Sequence, residues 1–217
     1  MDILKRCGIC LAGGALLCAG AITGEAVTDP VDADRGPHYV ASMAAPVALA
    51  LFAGLLLLFI GLAGLFARLR QSGERGGAAV ILIGVSLALA ELPHTILDMT
   101  AIPVVYARLP AKQAFDLSEN QFAHIPGLLS TIAILPLLIS SIVLARRLWN
   151  SRAFPQWAPR AAVVLLVLAI AELPLSAVAW WLPHGPVLLY IGLATYGLAM
   201  LSAPATTRTT HRDFVDA

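Results

Sequence analysis

The chain has 217 residues, 59% of them hydrophobic and only 12% charged, against roughly 25% charged in an ordinary soluble domain. That deficit excludes a water-soluble globule. A formal net charge of +1 supplies neither the basic surplus that nucleic-acid binding asks for nor the acidic surplus of a disordered tail; the charges are gathered into short segments between long apolar stretches.

A bilayer core about 30 Å thick is crossed by roughly 20 helical residues rising about 1.5 Å each. Six stretches qualify: Cys7–Ile22, Met43–Phe66, Ala78–Tyr106, Ile125–Leu144, Ala161–Trp181 and Val187–Leu201. They predict an all-α integral membrane protein, a single domain over 1–217 with six transmembrane helices. The first stretch is one of the two shortest. It follows Lys5 and Arg6 and reads either as an uncleaved first span or as a secretory signal peptide cut near Ala19-Gly20-Ala21; the remaining topology is the same in both cases.

The segment 24–42, with Glu25, Asp29, Asp32, Asp34, Pro30 and Pro37, is expected as an acidic outer loop. The segment 107–123 is expected as a second one, with Gln113–Phe122 as a helical turn on the membrane surface. Pro183-His184-Gly185-Pro186 reads as a tight turn and 206–217 as a frayed polar tail.

Cytoplasmic loops retain Lys and Arg. With the N-terminus inside, Lys5, Arg6, Arg68, Arg70, Arg75, Arg146, Arg147, Arg152, Arg160, Arg208 and Arg212 are cytoplasmic, and only Arg35, Arg108 and Lys112 lie outside. Both termini are therefore expected in the cytoplasm and the protein in the inner membrane. Trp149, Trp157, Trp180 and Trp181 fall at span ends, where amphipathic rings favour the interface.

The chain also repeats. Ala67-Arg68-Leu69-Arg70 and Ala90-Glu91-Leu92-Pro93 recur, roughly 80 residues later, as Ala145-Arg146-Arg147-Leu148 and Ala171-Glu172-Leu173-Pro174. Both pairs run outside to inside and back, which predicts a parallel duplicated hairpin, spans two and three repeated in spans four and five, about an axis along the membrane normal.

Glu91 and Glu172 stand near the middle of their spans. An ionised carboxylate there costs roughly 2.5 to 3.5 kcal/mol, so each is expected to face protein or water, or to carry a proton. Pro93 and Pro174 follow two residues later and cannot donate to the carbonyls of Leu89 and Ile170. One reading is structural, a neutral carboxyl satisfying a kinked backbone; the other is a proton or cation site. Glu91, His94 and Asp98 share one helical face, as an interhelical strut or a polar path; Leu175 and Ala179 occupy the matching offsets in the second copy.

His38, His94, His124 and His184 fall on the outer side and are weak candidates for haem or metal, with interfacial histidine as the alternative. Cys7, Cys10 and Cys18 share one face of the first span; Cys7-x-x-Cys10 has the spacing of a redox pair, but its position on a reducing side points to small residues that let helices approach. Asp29, Asp32 and Asp34 lack the spacing of a calcium loop. No phosphate loop or nucleophile elbow is present.

Three functional classes follow. The small loops and the missing catalytic set favour a non-catalytic accessory or scaffold subunit against a larger membrane complex or a second copy. The alternative is a proton-coupled small-solute transporter using Glu91 and Glu172. The third is a haem- or metal-binding redox protein using the outer histidines; the first two need no cofactor.

Overall fold

The computed structural model describes residues 2–28, 37–117, 122, 124–151, 153–176 and 185–202, and for 25–28, 37–44, 111, 115, 172–176 and 185 it gives the backbone alone. Every element among these residues is a helix: α1 (Ile3–Thr28), α2 (Pro37–Gln71), α3 (Gly77–Arg108), α4 (Ala111–Leu117), α5 (His124–Leu148), α6 (Trp157–Ser176) and α7 (Gly185–Ser202). Four of them, α1, α2, α3 and α5, contain segments long and apolar enough to cross a membrane. Their outward faces carry large apolar side chains such as Leu56, Ile60, Ile81, Val85, Leu135 and Ile139. In water such continuous apolar surface is an aggregation liability; against lipid tails it costs nothing, and the helices satisfy their own backbone groups. Length and composition are those of a helical membrane protein with four candidate spans among the described residues.

The order of packing is simple. α1 lies against α2 and α7, α2 against α3, α3 against α5, and α6 against α7, while α5 and α6 touch only slightly. In α2 the residues Leu51, Leu55, Leu58, Leu62, Leu65 and Leu69 are all buried. Their alternating steps of four and three are the seam of helices crossing at a shallow angle. Facing α1 this seam is lined by glycine. A Cβ on Gly14 would stand 2.5 Å from the Leu58 nitrogen, one on Gly54 2.7 Å from Cys18 Sγ, and one on Gly61 would overlap Leu11. On the opposite side of α1 a Cβ on Gly197 of α7 would stand 2.5 Å from the Ala12 nitrogen. Small residues let backbones approach where lipid offers no hydrophobic drive to association. The cysteines follow the packing expectation, with Cys7 against Gly64 and Cys18 buried against Gly54.

The helices outrun the apolar stretches. α1 continues to Thr28 and α2 begins at Pro37, so both ends of the segment expected as the loop 24–42 are helical. Acidic residues end an apolar stretch but do not break a helix; the first breaker after Thr23, whose hydroxyl donates to the Ala19 carbonyl at 2.8 Å, is Pro30. α3 stops at Arg108 because Leu109 is extended (φ −112°, ψ 152°), the backbone a residue before proline prefers. α4 starts directly after Pro110, two residues before the helical turn expected at 113–122.

At the arginine-rich end, two connections are tied together. Ser151 Oγ donates to Glu74 Oε1 at 2.6 Å and accepts from the Ala153 nitrogen at 3.0 Å, and buried Arg68 donates to the Ala153 carbonyl at 3.4 Å. The α2–α3 turn is thereby fastened to the segment that precedes α6.

Candidate functional site

Proline 93 shapes the middle of α3. Its ring denies the Leu89 carbonyl a backbone donor, and at the neighbouring residue Ser130 Oγ of α5 donates to the Ala90 carbonyl at 2.7 Å. One turn on, Thr95 Oγ1 donates to the Glu91 carbonyl at 2.7 Å. The Ser130 bond ties α3 to α5 beside Glu91, while the Thr95 bond lies within α3.

Glu91 and Ser130 line a cavity of about 150 Å³, walled by Leu87 and Ala90 of α3, Ile134, Leu137 and Leu138 of α5, Ala169 of α6, and Pro186, Leu189 and Tyr190 of α7. A second, narrower void of about 30 Å³ shares Leu87, Leu137, Leu189 and Tyr190 and continues toward Tyr196. A void of about 150 Å³ accepts a benzene-sized molecule, as in the engineered lysozyme cavity, whereas 30 Å³ has room for water alone. The cavity sits at the slight contact between α5 and α6, and Ile134 belongs both to its wall and to the exposed face of α5.

Tyr190 is 1% exposed. Its hydroxyl and that of Tyr196 are buried without a hydrogen bond of ordinary geometry, yet Glu91 lies within interaction range of both Tyr190 and Cys18. Depth agrees with this grouping. Counted from the arginine-rich ends of their helices at about 1.5 Å per residue, Glu91, Tyr190 and Cys18 all lie roughly 20 Å along. Three helices thus bring a carboxyl, a phenol and a thiol to one level in an otherwise apolar interior.

The other residues singled out from sequence fall differently. His94 and Asp98 follow Glu91 on α3, are partly buried, and are not part of the cavity wall. Glu172 lies three residues beyond Ala169, a cavity residue, at the same depth on α6; its side chain lies outside the described residues. His124 is exposed at the start of α5, the side chain of His38 lies outside the described residues, and His184 lies outside them altogether. The acidic run Asp29–Asp34 also lies outside them. Among the described residues no three His, Cys, Asp or Glu side chains converge in a way that could hold a metal ion.

Sequence reasoning did not pick out Ser130 or Tyr190. A signal existed for the tyrosine, because Tyr190 interrupts an apolar stretch near mid-depth, away from the interfacial belts where such rings belong. Ser130 had none, since its role depends on which helix lies beside α3.

The arrangement can do two things chemically. The apolar walls can enclose one small, largely hydrocarbon molecule, and Glu91 can give or take a proton in a space that excludes bulk water. Comparison with known protein families, with curated proteins and with solved structures finds no match.

Proposed function

We propose that the chain is a six-span inner-membrane protein with both termini in the cytoplasm, working as a small-solute carrier whose binding cavity is built around Glu91. The carrying observation is that Glu91, Ser130 and Tyr190, from three helices, line one mid-membrane cavity of about 150 Å³. The size and walls favour a small, largely apolar solute, and a carboxyl at that depth favours coupling to a proton, since an ionised carboxylate is costly there unless compensated. Six spans are supported by α6 and α7, whose 20 and 18 residues extend about 30 and 27 Å. The orientation rests on the Lys/Arg asymmetry. The duplicated hairpin is part of the same proposal, with α2–α3 matched by α5–α6 and Glu172 placed to act with Glu91.

Dicyclohexylcarbodiimide, which modifies protonated carboxyls in apolar surroundings, tests this on the purified chain. Peptide mapping by mass spectrometry is expected to find the adduct at Glu91, and Glu91→Gln is expected to remain folded while losing that adduct. Labelling confined to exposed carboxylates such as Asp2 and Asp116 overturns the reading. An unlabelled Glu91 together with a membrane protein that co-purifies in fixed ratio supports the accessory-subunit reading instead.

A further inference from the structure

The outward face of α5 carries a feature that the Glu91 cavity does not use. Leu135, Ile139, Ile142 and Val143 are all exposed and fall within one stripe of the helix. The stripe leads to Arg146, Arg147 and Asn150, which are exposed and, with Val143, line an open recess beyond its end. Arg146 continues the line of Leu135, because eleven residues return the helix to within about 20° of the same direction, and Asn150 follows just beyond the helix end. From Leu135 to Arg146 the rise is about 16 Å, half the thickness of a bilayer core, which is the depth one acyl chain reaches.

The two arginines differ from their neighbours at this end of the molecule. Arg68 is spent on the Ala153 carbonyl, Arg70 lies over Phe66 at 6.0 Å, and Arg160 lies over Trp149 at 6.0 Å and donates to Gln156 Oε1. Arg146 and Arg147 form no ion pair with any described residue. The last carbonyls of α5 place about half a negative charge beside them, which two guanidinium groups exceed. Trp149 and Trp157 are exposed on either side of the connection, marking headgroup level.

We propose that this recess binds the phosphate of an anionic phospholipid, with Arg146, Arg147 and Asn150 as donors and the acyl chain along the Leu135–Val143 stripe. Guanidinium groups pair with phosphate oxygens through two parallel hydrogen bonds, and basic recesses on the cytoplasmic side of membrane proteins take anionic headgroups. The apolar stripe continuous with the recess is what favours a lipid over a free anion.

The test uses the full-length purified chain and dioleoylphosphatidylglycerol, with dioleoylphosphatidylcholine as the uncharged comparison. Native mass spectrometry is expected to retain phosphatidylglycerol on the chain in preference to phosphatidylcholine. In R146Q/R147Q its affinity is expected to fall about thirty-fold, from the ordinary contribution of each surface arginine. R6Q/R75Q removes the same charge from exposed positions elsewhere on this side and is expected to leave binding within about two-fold. Equal losses in the two double variants overturn the proposal in favour of diffuse charge, and unchanged binding in R146Q/R147Q overturns it outright. If inorganic phosphate at millimolar concentration displaces the phosphatidylglycerol completely, the site is one for a free anion and the proposal fails.

Discussion

Gly61→Ala, compared with Gly13→Ala, isolates what the α1–α2 contact contributes. A Cβ at Gly61 overlaps Leu11, which is fully buried, and α1 has no room to retreat because Gly8 and Ala12 press against Gly197 of α7. Overpacking of this kind costs about 1 to 3 kcal/mol. Alanine returns up to about 1 kcal/mol of helix propensity at either position, and Gly13, with nothing within 4 Å of its Cβ position, collects that gain without the clash. The propensity gain cancels between them, so the two variants are expected to differ by the clash alone, roughly 1 to 3 kcal/mol, near 2 to 12 °C in melting temperature for a chain of this length. Buried Cys18 supplies the readout: a maleimide that fluoresces on reaction reports the temperature at which α1 leaves α2. Equal melting temperatures for the two variants would refute the close contact and with it the docking of α1 between α2 and α7.

The remaining expectations concern other parts of the molecule. Ser130→Ala strips the Ala90 carbonyl of its donor and is expected to cost about 0.6 to 2 kcal/mol; an unchanged melting temperature would show that this carbonyl does not depend on α5. For topology, single cysteines at exposed Gln71 and Asn150 should resist a membrane-impermeant maleimide added to intact cells while one at exposed Lys112 reacts, and the opposite pattern inverts the orientation. Ser151→Ala and Glu74→Ala each break the Ser151–Glu74 bond between the two arginine-side connections, at about 0.5 to 1.5 kcal/mol. Limited proteolysis should then cut the 149–156 segment several-fold faster, and equal rates would show that the tie carries no load.

Much of the fold was legible because the bilayer makes a simple demand. A run such as Met43–Phe66 has no stable alternative to a helix in lipid, so its existence could be read, although not its ends. Those ends depend on breakers rather than on polarity: α1 runs through Thr23 and Glu25 because neither stops a helix, and α3 stops where Pro110 forces Leu109 to be extended. At the site, Glu91 was legible as a charge at a depth where charge is costly. Its surroundings were not, because Ser130, Ala169 and Tyr190 become neighbours only through the packing order of α3, α5, α6 and α7. The glycine seam was equally hidden. Gly54, Gly61 and Gly64 do not keep the four-residue spacing of a tight dimer motif, since their partners are the staggered Cys18, Leu11 and Cys7 of α1 rather than a second copy of the same helix.

These contacts divide the molecule by how closely its backbones approach. Around α1, glycine on α2 and α7 brings backbones within reach of one another, and the leucines of α2 fill the remaining space. Around the cavity the walls are larger aliphatic side chains and α5 barely meets α6. Close packing resists displacement because every neighbour must move together, whereas a side with voids and few contacts opens at lower free energy. α2 is tightly packed and α3 carries Glu91 on its far face, whereas the α5–α6 contact is looser; in the proposed carrier that contact is the side from which a solute dissolved in the bilayer reaches the carboxyl. Under this division the polar stripe of Glu91, His94 and Asp98 belongs to α3, the helix anchored on both sides by α2 and α5, where a fixed depth can be maintained while the neighbouring contact opens.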